Sequence, residues 1–225
     1  MNIVKAGYEI LNPITESGIK ELQFIEKIGR TCYLSEDRIT EDGESALKFN
    51  EMILRREHEA MIEHSLLSVR FTVDRGVSHE MVRHRVASFA QESTRYVNYA
   101  KEKFGNEISV IDPINGMTLD TKMKHMDLDI IGEIYEEWMT AMEDAEKHYM
   151  RMIELGATPQ MARSVLPHST KTSIVITTNY REWRHFFELR TPKDAHPQIR
   201  EVAIPLLREL QQKIPVIFDD IEVEE

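Results

Sequence analysis

Cysteine is nearly absent from this sequence. Cys32 is the only one in 225 residues, which excludes a disulfide framework within the chain and suits a reducing compartment, so the expected location is cytoplasmic. No base adjoins it in Gly29-Arg30-Thr31-Cys32-Tyr33, and Cys32 therefore reads as a small buried hydrophobe rather than a nucleophile. No apolar run approaches the roughly 18 residues of a membrane span. Met1 to Gly7 has neither an apolar h-region nor a small-residue cleavage site, so no membrane association or targeting is expected. Gly-x-Gly-x-x-Gly, Walker-type and Gly-x-Ser-x-Gly motifs are missing, which argues against a Rossmann or P-loop nucleotide site and against a serine-hydrolase elbow. An excess of positive charge is missing as well. The formal net charge is −11 and the pI near 5.4, and no Lys/Arg stripe interleaves with aromatics, so nucleic acid is not an expected partner.

What is present suits one globular domain spanning residues 1–225, with 41% hydrophobic and 30% charged residues. Ile3 to Leu11 reads as a strand. Ile19, Leu22, Ile25 and Ile28, and then Ala46 to Leu54, recur at helical spacing. Ser65 to Val73 alternates with period two, as a half-buried strand does. Val77 to Val86 returns to helical spacing, and Phe89 to Tyr96 reads as extended, which would put Gln91, Ser93 and Arg95 on one face. Leu119 to Leu155 reads as one long helix, with Ile130, Ile134, Trp138, Ala141, Ala145, Tyr149 and Ile153 on a shared stripe. Thr158-Pro159 starts a short helix. A strand over Lys171 to Asn179 and helices over Arg181 to Arg190 and Asp194 to Gln212 complete the pattern.

Chemistry concentrates in Arg83-His84-Arg85-Val86-Ala87-Ser88-Phe89-Ala90-Gln91-Glu92-Ser93-Thr94-Arg95-Tyr96. Three guanidiniums with an imidazole and hydroxyls suit an anion, because arginine keeps its charge and offers a planar fork to phosphate or carboxylate. Arg163 and Arg190 lie among apolar neighbours, and a partly buried guanidinium must meet either a carboxylate of the fold or an anionic ligand. The nine histidines do not space as a metal site. His58 and His64, and His79 and His84, are too far apart for two imidazoles on one helical turn, so no metal is expected.

The stretch resembles the signature of the flavin-dependent thymidylate synthases: Arg-His-Arg, seven residues, then Ser, here Ser93, with Ser88 and Arg95 fitting the longer form. Three further blocks resemble the same family in the same order. They are His58-Glu59-Ala60-Met61-Ile62-Glu63-His64, Arg163-Ser164-Val165-Leu166-Pro167, and Asn179 to Arg190. The resemblance implies an α+β domain with a mainly antiparallel sheet flanked by long helices. It implies a methyltransferase that makes dTMP from dUMP, with 5,10-methylenetetrahydrofolate as carbon donor and NADPH as reductant through FAD, in a homotetramer with sites at subunit junctions. By the same resemblance Arg83, His84, Arg85, Gln91, Asn179, Tyr180, Arg181 and His185 would bind FAD, with His58 and Ala60 reaching a neighbouring subunit. Glu80, Met81, Val82, Arg83, Gln91, Glu92, Ser93, Thr94, Arg95 and Arg163 would bind dUMP. Arg190 would act on the uracil, favouring its N3-deprotonated form. This chemistry needs no cysteine nucleophile, in keeping with the unactivated Cys32. The chain departs from the fullest family pattern at Ala90-Gln91, where many members have Asn-Glu, at Glu80, where others have Gln, and at Ala60, where others have a hydroxyl. A flavin- or nucleotide-binding protein without turnover, and an interaction module whose arginines only pair with carboxylates, are the rival readings.

Overall fold

The computed structural model describes residues 1–14 and 18–223. Its elements are β1 (Asn2–Val4), β2 (Gly7–Ile10), α1 (Ile19–Thr31), α2 (Glu44–Arg55), β3 (Leu66–Asp74), α3 (Arg75–Met81), β4 (Ser88–Gln91), β5 (Ser109–Ile111), α4 (Ile114–Leu119), α5 (Leu128–Glu154), α6 (Pro159–Ala162), β6 (Lys171–Asn179), α7 (Tyr180–Arg190) and α8 (Pro197–Lys213). Four strands form an antiparallel sheet in the order β2-β3-β6-β4, and β1 pairs with β5 in parallel. This is the expected mixture of an antiparallel sheet and long helices. Among the described residues no helix is long and apolar enough to cross a membrane.

The period-two alternation of β3 works as its sequence predicts. Leu67, Val69, Phe71 and Val73 are fully buried, while Arg70 turns outward to pair with Glu9 across the sheet. Burial of each such side chain stabilises by about 1.5–3 kcal/mol. Strand β6 answers β3 along its whole length, from Leu66 opposite Asn179 to Asp74 opposite Lys171. Helix α7 lies over this pair. Trp183, Phe186 and Phe187 pack on Phe71 and on Phe218, and the Trp183 indole N–H donates to the Leu67 carbonyl at 3.1 Å. A smaller cluster of Tyr99, Ile108, Val110, Met142, Tyr149 and Ala162 sits under α5. Helix α1 starts after Gly18, whose φ is +60°; a Cβ there would strike the Lys213 carbonyl, so the start of α1 can abut the end of α8 only with glycine.

Several elements depart from the sequence pattern. The first strand is two, because β1 leaves the main sheet to pair with β5 and only β2 joins β3. The long helix is interrupted. α4 ends at Leu119, the Asp120 carboxylate caps the amides of Lys122 and Met123, and α5 begins after its own cap, Asp127. Only Met142 and Tyr149 of its stripe side are buried, and Ile130 and Ala141 are exposed. Helix α3 stops at Met81, leaving Val86 exposed. Strand β4 ends at Gln91, and Ser93 to Tyr96 forms a turn in which Arg95 N–H donates to the Ser93 hydroxyl, so Gln91, Ser93 and Arg95 do not share a strand face. Cys32 is exposed rather than buried, because it caps the C-terminus of α1 at the surface.

The chain end is clamped to α7. Arg184, buried, donates to both carboxylate oxygens of Asp220 at 2.6 and 2.7 Å and to the Ile217 carbonyl at 2.5 Å. The two partners are unequal, since the arginine side chain is 8% exposed and the aspartate 59%. Removing the carboxylate leaves a buried cation with only the longer Glu59 contact at 3.7 Å and the Ile217 carbonyl, whereas removing the arginine leaves a carboxylate that water can solvate. Asp220→Ala is therefore expected to cost about 2 kcal/mol or more, and Arg184→Met less than that. Urea unfolding of the two variants checks the order, and equal or reversed costs would refute it.

Candidate functional site

The residues singled out in the sequence converge mainly around α7. Asn179 starts it, its side-chain oxygen accepting from the Glu182 amide at 2.8 Å. Glu182, Phe186 and Arg190 follow at four-residue intervals and so share a face. The His84 ring lies over Phe186, with ring centroids 5.0 Å apart, and reaches both ends of that stripe. The Arg190 Nε–H donates to His84 Nε2 at 3.1 Å, and His84 Nδ1 lies 3.3 Å from Glu182 Oε1. The two remaining arms of Arg190 meet the last turn of α3: Nη1 donates to Glu80 Oε2 at 2.9 Å and Nη2 to the Glu80 carbonyl at 3.2 Å.

Burial, then electrostatic interaction with Arg190 and His185, holds the His84 imidazole down at about 4. The ring is thus neutral at physiological pH. Burial pushes the Glu182 carboxyl up, with His185 opposing. His84, Glu182 and His185 offer ligand atoms within 4.8 Å of one another. Sequence spacing along single helices does not reveal this grouping, since His84 and His185 come from distant segments. Both His84 nitrogens are engaged in hydrogen bonds, and His185 meets the His84 ring edge-on with centroids 5.9 Å apart.

Beside it opens a cleft of about 420 Å³, lined by Glu59, Glu63, Val86, Asn179, Arg181, Glu182, Arg184, His185 and Glu188. Arg181 is held by Glu59 and Glu63, and Arg184 by Asp220. Both guanidiniums of the cleft are therefore already paired. His58 and Ala60 are exposed at the start of the turn that supplies Glu59 and Glu63. Tyr180 turns away from this cleft and is buried against Phe218.

A second group forms beyond β4. Glu92 takes Lys171 Nζ at 2.8 Å and the Tyr99 hydroxyl at 3.1 Å. The buried Thr94 hydroxyl accepts from Arg163 Nη1 at 3.4 Å, and Arg163 is exposed rather than partly buried. Between the two groups the Gln91 amide donates to the Ser78 and Thr172 hydroxyls at 2.9 and 3.3 Å, tying β4 to α3 and β6. Met81 is buried in the core and Val82 exposed. Arg83, Arg85, Arg95 and Arg163 are exposed, and among the described residues none has a carboxylate partner. Arg95 lies over the Tyr96 ring at 5.5 Å. Unpaired guanidiniums flanking a paired one on a protein of charge −11 leave donors for an anionic ligand. Glu182, Glu59 and Glu63 are the site residues that the arginine motif alone does not indicate; the spacing of Glu182 from Phe186 and Arg190, four and eight residues, was the available signal.

Residues 18–216 match the sequence model of a family described as thymidylate synthase complementing protein. The chain belongs to that family. Proteins named flavin-dependent thymidylate synthase are similar to it: one from Corynebacterium aurimucosum is 32% identical over 93% of this chain and 84% of its own, and one from Mycobacterium tuberculosis is 33% identical over 88% and 79%. In fold the chain resembles the crystal structure of a UMP/dUMP methylase, PolB from Streptomyces cacaoi, bound with 5-Br dUMP. The TM-score is 0.77, with 23% identity over 97% of this chain and 96% of that one.

Within this family member, the neutral His84 makes a signed prediction. The unfolded imidazole gains a proton below about 6.5, the folded one only near 4, so between these values the unfolded state binds more protons. The contribution is complete above about 6.5 and is lost as pH falls toward 4. The stability difference between wild type and His84→Gln should fall by about 3 kcal/mol from pH 7 to pH 4. Urea titrations at both pH values test this, and a difference that does not move with pH would show that the ring is not held neutral.

Proposed function

We propose that this chain is a flavin-dependent thymidylate synthase acting in the cytoplasm as a one-domain subunit of a homotetramer. The net reaction is dUMP + 5,10-methylenetetrahydrofolate + NADPH + H⁺ → dTMP + tetrahydrofolate + NADP⁺. The observation that carries the reading, alongside family membership, is Arg190: a guanidinium fixed by a neutral imidazole and by Glu80, with two of its five N–H groups still free to donate to a ligand.

The residues present fit a flavin dinucleotide. Asn179 and His185 offer hydrogen-bonding groups in the cleft, and the unpaired Arg83 and Arg85 flank His84 in sequence and supply the cations that a diphosphate needs. His58 and Ala60 add contacts across a subunit junction. Bound FAD supplies the hydride store between NADPH and the transferred methylene. Arg95, Ser93 and Arg163 suit the phosphate of dUMP, since both guanidiniums are exposed and free of carboxylates. Arg190 faces the uracil, where its charge favours loss of the N3 proton and raises the electron density at C5. Glu80 offsets part of that charge and keeps the guanidinium in place.

Arg190→Ala should retain FAD and lose methyl transfer. Arg163→Ala should weaken dUMP binding by about 10- to 100-fold, the loss of one charge-assisted hydrogen bond of roughly 1.5–3 kcal/mol. Tritium release from 5-tritiated dUMP in the presence of FAD, NADPH and methylenetetrahydrofolate reads both. Release that requires all three additions supports the synthase. Tight binding of FAD and dUMP without release would instead identify a binding protein.

A further inference from the structure

The side chain of Glu182 has one hydrogen-bond partner among the described residues, His84, and that contact decides what Arg190 can do. The Arg190 Nε–H is a donor in every state, so the His84 nitrogen facing it at 3.1 Å must present a lone pair. A neutral imidazole has one N–H, and here it must reside on Nδ1, 3.3 Å from Glu182 Oε1. In the opposite tautomer two N–H groups would face each other at the arginine, while Glu182 would face a lone pair. Both contacts would be lost together.

We propose that Glu182 is a positioning residue: by holding the proton on His84 Nδ1 it makes His84 the acceptor that fixes Arg190. With Glu80 taking the other two arms, the guanidinium is held at three of its donors and can turn only as a unit. The charged and titratable groups around the ring are Glu182, His185 and Arg190 from α7, with Glu80 from α3 acting through Arg190. Glu182 and His185 also line the cleft, whereas Arg190 does not. The carboxylate thus stands between the cleft and the guanidinium, and an occupant that competes for it acts on Arg190 without touching it.

The functional consequence rests on the reading of Arg190 as the uracil ligand; the tautomer does not. Long-range ¹H–¹⁵N correlation on ¹⁵N-histidine-labelled protein saturated with FAD, with His84 assigned by its absence in His84→Gln, reads the two ring nitrogens directly. Nδ1 should be protonated and Nε2 bare in the wild type and in Glu182→Gln, whose amide oxygen can still accept. In Glu182→Leu, where Nδ1–H has lost its acceptor, the Nε2–H form should appear with release of the Arg190 Nε contact, and dUMP should bind about tenfold more weakly, while Glu182→Gln stays within about threefold of wild type. Nε2–H in the wild type, or an unchanged tautomer in Glu182→Leu, would overturn the proposal. The expected tautomer pattern in a wild type that binds no dUMP would uphold the relay and overturn the uracil assignment.

Discussion

Everything in this molecule hangs on the pairing of β3 with β6. Nine residues of each strand are in register, about 30 Å of uninterrupted ladder. A helix springs directly from the end of each strand: α3 from Asp74 and α7 from Asn179. Because the strands are antiparallel, the two helices start at opposite ends of the ladder. α7, about 16 Å long, carries Arg190 back along the sheet until it meets Glu80 in the last turn of α3 and His84 just after it. A one-residue slip would turn Leu67, Val69, Phe71 and Val73 out of the core and move both helices. The Arg190–Glu80 and Arg190–His84 contacts are therefore consequences of strand register, enforced by the aromatic packing of Phe71, Trp183 and Phe186.

Much of this was legible in the sequence where the signal is local. The alternation in β3, the cap and Pro at Thr158-Pro159, and the helical spacing of α1, α2, α7 and α8 all follow from neighbours within a few residues. The split between β1 and β2 was not, because Ile3 to Leu11 alternates as one strand and only the partner, β5, reveals that the first part belongs elsewhere. Nor was the end of β4 at Gln91, since Ser93 turns the chain by a hydrogen bond from the Arg95 amide rather than by a Gly or Pro signal. Cys32 is exposed for a similar reason: its place at the end of α1 outweighs its preference for burial.

The arginine motif gathers the guanidiniums that an anion would need, but their division of labour depends on contacts across the fold. Arg190 reads from sequence as a guanidinium among apolar residues, and the structure gives it partners 106 and 110 positions away. Arg163 has the same kind of sequence neighbourhood and is exposed, and among the described residues its side chain hydrogen-bonds only to Thr94. Sequence spacing excluded a metal pair along one helix and so missed the meeting of His84 with His185, which only the tertiary fold creates. The site thus combines guanidiniums that are fixed and spent with others that are exposed and unspent. Only the pairing partners distinguish them.

The pairing of Arg181 and Arg184 also bears on how fast a ligand arrives. With both cations of the cleft neutralised by Glu59, Glu63 and Asp220, and with Glu182 and Glu188 beside them, the approach to the cleft is electronegative on a protein already at −11. Screening confines the pull of the exposed Arg83 and Arg85 to about 8 Å in physiological salt. On the proposed reading, added salt would weaken the long-range repulsion of a phosphate-bearing ligand before it weakens close contacts, and so would speed its entry.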